Sequence, residues 1–178
     1  MTDQGTIGAV LRGELADWRG LGEETLESLT EALAPVEAVA GPTYAERRLG
    51  RFDRYVVTRS AAPADVQVWI PGGSAVVALV EWDDPEVADV DALLDRLGDP
   101  EEVQHNQRFR TGTLVDELVY AGRGLNLSIA TPHADVGVDP PPRGSRQIVH
   151  VQLFGAMELD RWRAALGATV PVRPFPLN

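Results

Sequence analysis

Cysteine is missing altogether from the 178 residues, which removes disulfide staples, thiolate metal sites and a thiol nucleophile. Long apolar runs are missing too, since nothing approaches the roughly 18 uninterrupted apolar residues that a membrane span requires. The opening stretch MTDQGTIGAVLRGELADW carries Asp3, Arg12, Glu14 and Asp17 and holds no apolar run of signal-peptide length. A cytoplasmic protein without membrane contact is the expectation. Positive charge is scarce: 16 basic residues stand against 27 acidic ones, a net charge of −11. That balance argues against direct nucleic-acid binding, which needs clustered cations to neutralise phosphate.

Chemistry-bearing motifs are equally sparse. There is no G-x-S-x-G and no H-E-x-x-H. The glycines of PGGS (71–74) and AGRGLN (121–126) match neither a phosphate loop nor a dinucleotide fingerprint, and tight turns explain them. Only three histidines are present, and His133 with Asp135 in one loop and His105 in another segment have no ligand spacing. The acid pairs Asp83/Asp84 and Glu101/Glu102 fall where helix ends are expected, so capping and solvation account for them. No catalytic residue, no cofactor and no metal are therefore assigned.

What is present is a composition suited to folding, 44% hydrophobic and 24% charged, with the charge unevenly spread. Residues 83–102, DDPEVADVDALLDRLGDPEE, hold nine acids against the single base Arg96. Such a stretch is either a solvated helix face or a steering surface for a basic partner. Arg47, Arg48, Arg51 and Arg54 gather within eight positions; pairing with the acidic helix is the favoured role, an anion- or partner-binding patch the alternative. Arg108 and Arg110 occupy the corresponding place further on.

Self-similarity organises the rest. LTEALAPVEAV (29–39) matches LLDRLGDPEEV (93–103) once one residue is inserted, and RWRAALG (161–167) repeats the leucine-small close. After the first match come RYVVT (54–58), DVQVWIP (65–71) and AVVALVEW (75–82); after the second, ELVYA (117–121), LNLSIATP (125–132) and QIVHVQLF (147–154). Length, β-branched content and the turn residues between them make all six strands. Short runs joined by tight turns favour antiparallel pairing.

Helices are expected over 6–19, on Ile7, Val10, Leu11, Leu15 and Trp18, and around Leu26, Leu29 and Leu33. Another is expected over 84–98, opened by Asp84-Pro85 and closed by Gly98 and Pro100, and a last one carries Leu159, Trp162 and Leu166. The chain then divides into an N-terminal helix (1–21), an α-βββ-α unit (22–98), a βββ-α unit sharing its core (99–170) and an extended tail (171–178) with Phe175 as its expected anchor. Residues 133–145, stiffened by Pro140-Pro141-Pro142, form a long loop. The fold class is α+β, a degenerate tandem repeat of helix plus antiparallel β-meander, forming one continuous or two abutting sheets with the helices on one side.

The repeated helix exit (Leu33-Ala34-Pro35; Leu97-Gly98 with Pro100) followed by strands, over roughly 22–167, resembles the tandem helix-and-meander repeats of the beta-lactamase inhibitor protein family and the related small outer-membrane lipoprotein modules. The resemblance implies the arrangement alone. Members of that family are exported and disulfide-bonded, this chain has no cysteine, and no functional residue or target carries over.

Strand alternation sorts the side chains. Val66, Val68 and Ile70, then Leu125, Leu127 and Ile129, then Val149, Val151 and Leu153 form the face expected against the helices. Gln67 and Trp69, Asn126 and Ser128, and His150 and Gln152 lie opposite, with Ile148 and Phe154 beside them. A face bearing these residues suits partner recognition. Gln67, Trp69, Asn126, Ser128, His150 and Gln152 are thus the candidate binding residues, with the acidic helix as a second surface. The expected function is a non-enzymatic protein-binding module of the immunity or inhibitor type, its partner a basic protein. The alternative is a small-molecule-binding or accessory enzyme with its site in the cleft between the units, lined by His150, Trp69, Asn126 and Arg54. An open meander edge also leaves homo-oligomerisation available.

Overall fold

In a computed structural model, residues 10, 14–32, 36–41, 52–59, 66–85, 87–110, 113–132 and 142–165 are described. Half of the helix expected over 6–19 falls outside them; of the rest, Val10 is helical and Leu15–Asp17 form a 3-10 turn followed by extended Trp18. The long loop's His133, Asp135, Pro140 and Pro141, the tail with Phe175, and Arg47, Arg48 and Arg51 also lie outside the described residues.

The strands are β1 (Val36–Gly41), β2 (Phe52–Arg59), β3 (Val66–Pro71), β4 (Leu79–Asp83), β5 (Glu102–Arg110), β6 (Thr113–Tyr120), β7 (Leu125–Pro132) and β8 (Gln147–Phe154). The helices are α1 (Leu26–Ala32), α2 (Val90–Leu97) and α3 (Leu159–Ala165). All eight strands join one sheet in the order β1-β2-β3-β4-β8-β7-β6-β5, and every pairing is antiparallel. The protein is therefore α+β with an antiparallel sheet. Each half is a helix leading into a meander of four strands, one more than expected. The extra strands begin within VEAV and EEV, the segments that follow the matched helix exits. Neither shows a strand signature in the sequence, because β1 is alanine-rich and β5, EVQHNQRFR, is largely polar, as an edge strand with one neighbour permits.

The helices start where side chains meet orphan backbone donors. Thr25 Oγ1 accepts from Ser28 N at 3.1 Å while Ser28 Oγ accepts from Thr25 N at 3.0 Å, a reciprocal cap on α1. Asp89 Oδ1 accepts from Ala92 N at 2.9 Å and opens α2. The start expected at Asp84-Pro85 is thus corrected. Asp84 instead ends β4 in a left-handed turn (φ 45°), its N–H donating to Val149 O at 3.0 Å. Gly98 closes α2 at φ 76° as expected.

One sheet face is a core. Its cross-strand rows run Val68–Val80–Leu153–Leu125–Tyr120 and Val66–Trp82–Val151–Leu127–Leu118. These pack with Trp18, Leu29, Leu93 and Leu97 from α1, α2 and the segment before them. The expected inward sets of β3 and β7 are buried. In β8 the set is corrected: Ser128 pairs with His150 but Ile129 with Ile148, so a bulge at Val149 shifts the alternation and Ile148 joins the core.

The helices do not all lie on one side, a second correction. Trp162 of α3 is buried with Trp69, Leu79, Val119 and Phe154 on the opposite face, where those apolar side chains require cover. The two halves join through β4 and β8, which are hydrogen-bonded neighbours.

Candidate functional site

The polar side chains of the second face lie in two adjacent rows. One runs Gln67–Glu81–Gln152–Asn126–Val119–Glu102 across six strands. The next runs Asp83–His150–Ser128–Glu117–Gln104. The band is covered at one end by the Trp162 cluster, and Val115 and Ala130 are buried on the same face at the other. Gln67, Glu81, His150, Gln152, Glu117 and Gln104 are partly exposed between them, and Asp83 is open to solvent.

All six expected binding residues share this face, yet only three reach solvent. Gln67, His150 and Gln152 are part-exposed, whereas Trp69, Asn126 and Ser128 are buried. Trp69 belongs to the cluster beneath α3, because an indole on an otherwise polar face gains more from apolar cover than from water. Arg54 lies opposite Trp69 in the β2–β3 register.

The residues overlooked were Glu81 and Asp83, and they are the centre of the site. His150 Nδ1 lies 2.7 Å from Asp83 Oδ1, and its Nε2 lies 3.7 Å from Glu81 Oε1. With an anion at each ring nitrogen, the doubly protonated imidazolium is the form that suits the site. Burial alone would depress the imidazole pKa, but the interactions with Glu81 and Asp83 outweigh it and raise it above the ordinary 6.5. Burial likewise pushes the Glu81 carboxyl up. His150 and the hydrogen bonds from Gln152 and Trp69 outweigh that, and it sits below its ordinary value.

Glu81 also sets the direction of a relay. Its Oε2 accepts from Trp69 Nε1 at 2.8 Å and its Oε1 from Gln152 Nε2 at 2.8 Å; Gln152 Oε1 then accepts from Asn126 Nδ2 at 3.1 Å. A carboxylate can only accept, so each amide must turn its NH₂ toward Glu81. The mismatch passes to the far end. Asn126, 3% exposed, is left with Oδ1 unpartnered among the described residues. The part of the site that lacks a partner is an acceptor.

The acidic helix is less available than its composition implied. Asp91 is 5% exposed, accepts from Gly144 N at 2.7 Å and forms an ion pair with Arg146. Asp95 pairs with Arg143 at 3.2 Å. Loop residues 143–146 supply these described partners. The acid pairs are redistributed as well: Asp83 serves His150, Glu101 accepts from Gly122 N at 2.6 Å, and Glu102 pairs with Arg163 of α3.

Comparison with protein-family models, curated proteins and solved structures gives no match. No helix among the described residues is long and apolar enough to cross a membrane. No group of three or more acidic or histidine side chains among them is arranged to hold a metal ion.

Proposed function

We propose that the protein is a non-enzymatic binding module of the immunity or inhibitor type, and that it receives a basic segment of a partner protein on the polar band of its sheet. The observation that carries this is the convergence of Glu81 and Asp83 on one half-open face around the ring of His150. Carboxylates fixed on central strands offer a preorganised surface to guanidinium or ammonium groups. Because Asp91 and Asp95 are engaged by Arg146 and Arg143, the recognition surface is the sheet face rather than α2. A helix leading into a four-stranded meander in each half supports a degenerate tandem repeat and an arrangement akin to the beta-lactamase inhibitor protein family. A chain without cysteine suits a cytoplasmic site of action.

A second reading has one observation in its favour. Asp83 orients His150 as a general base would need, so a small-molecule or enzymatic site at the β4–β8 seam is the alternative.

Calorimetric titration with a short arginine-rich peptide at about 0.1 M salt separates site binding from attraction by net charge. Asp83→Asn is expected to weaken binding about fivefold, roughly 1 kcal/mol. Asp99→Asn, which removes an equal charge from an exposed position beyond α2, should leave affinity near that of the parent. Equal losses in the two variants would reduce the interaction to bulk charge and remove the case for the band.

A further inference from the structure

We propose that His150 is a resident counter-cation of the band, displaced electrostatically by the incoming basic group, so that partner binding releases a proton and strengthens as pH rises. This rests on the binding mode above and assigns its regulation.

His150 holds the place a bound cation would take. It lies between Asp83 Oδ1 at 2.7 Å and Glu81 Oε1 at 3.7 Å, and the three side chains are 26%, 57% and 18% exposed. In this part-buried setting charges interact more strongly than in free solution. A guanidinium approaching Asp83 and Glu81 therefore meets one of two states. With the ring protonated, the group of three carries a net −1 and already contains a positive charge. With the ring neutral it carries −2 and the repulsion is gone.

No other described cation facing His150 takes over this role. On β4 the flanking charges are Glu81 and Asp83, with Asp84 next in the turn. On β7 the register partner is Ser128; beyond it Glu117 on β6 adds another acid to the row. Arg146, earlier on β8's approach, is bound to Asp91, and Arg163 of α3 to Glu102 and Asp160. Gln152 and Asn126 are held in one orientation by Glu81, and Asn126 Oδ1 remains an unmet acceptor. The surroundings of His150 thus combine fixed negative charge, an unsatisfied acceptor and one titratable cation.

Linkage sets the sign. If a bound cation makes protonation of His150 harder, a protonated His150 must weaken cation binding by the same factor. Affinity then rises with pH between the titration of the bound and the free protein, by up to about tenfold per pH unit where one full proton is released. Below that window the competing charge is present in both states and the slope vanishes.

The test uses the full chain and the arginine-rich peptide at about pH 5.5 and about pH 8, with proton release read from calorimetry in two buffers of different ionisation enthalpy. Parent protein is expected to bind several-fold more tightly at the higher pH and to release protons on binding. His150→Gln, which retains a hydrogen-bond donor toward Asp83 but cannot charge, should bind at both pH values with nearly equal affinity and no proton release. Asp83-dependent binding that is flat or falls with pH, or a slope retained by His150→Gln, overturns the proton coupling and leaves the binding surface standing. Absence of Asp83-dependent binding at both pH values overturns both.

Discussion

At the residue scale, one carboxylate decides the behaviour of its neighbours. Glu81 is an acceptor for Trp69 and Gln152 at once, which fixes the amide of Gln152 with its NH₂ toward the carboxylate. In Glu81→Gln the oxygen can keep Trp69 while the new NH₂ donates to Gln152, whose amide then turns over and donates to Asn126 Oδ1. Stability is therefore expected to change by less than about 1 kcal/mol, read from urea midpoints. The same substitution removes one of the two anions that raise the His150 pKa, so its ring resonances should titrate at lower pH by NMR. The stability dependence carries a definite sign. A raised His150 pKa contributes stability in full below the unfolded value near 6.5 and loses it as pH climbs through the folded value. An Glu81→Gln protein whose His150 titrates unchanged would show that the 3.7 Å contact carries no electrostatic weight.

At the element scale, α2 fastens the segment leading into β8. Asp91 accepts from Gly144 N and from the Arg146 guanidinium while nearly buried. The Gly144 amide, and then Arg146, hold its carboxyl below the ordinary range against the opposing effect of burial. Asp91→Ala leaves the Gly144 N–H and a part-buried guanidinium without their acceptor and is expected to cost about 2 kcal/mol. Native-state hydrogen exchange should show the Gly144 amide losing protection. Because the folded pKa is depressed, the clasp's stability is present above about pH 4 and lost as pH falls through the folded value. Acid denaturation of the parent should therefore converge with that of the variant at low pH. Persistence of the full difference in strong acid would rule out the ionised clasp.

At the scale of the whole molecule, the N-terminal segment meets the second half at Gly124. Phe154 N donates to Gly124 O at 2.9 Å, Trp18 Nε1 donates to the same oxygen at 2.9 Å, and Leu21 N donates to Phe154 O at 2.8 Å. Gly124 has φ 65°, and a Cβ there would stand 2.0 Å from Phe154 O. The opposing atom is backbone inside this junction and has no rotamer to escape into. Gly124→Ala is expected to destabilise by roughly 3 kcal/mol or more, lowering the thermal midpoint by several degrees. A shift within error would mean that the junction yields.

Much of this plan was legible in the residues themselves. The alternation of Val66, Val68 and Ile70 and of Leu125, Leu127 and Ile129 identified the core face, because successive strand side chains point to opposite sides wherever a strand lies. By the same rule Gln67, Asn126, His150 and Gln152 share a face. Turn and cap chemistry ended α2 at Gly98. What alternation does not contain is the neighbour across the strand, which depends on register fixed by contacts distant in sequence. Only the β4–β8 pairing brings Asp83 to His150, 67 residues away. Only the bulge at Val149 turns Ile148 inward, and only the docking of α3 on the second face buries Trp69 and divides the candidate site into a covered end and an open band. Local periodicity determined which way the side chains of regular strands point; tertiary pairing and cover decided where a bulge breaks that alternation, which charges meet and which of them water can reach.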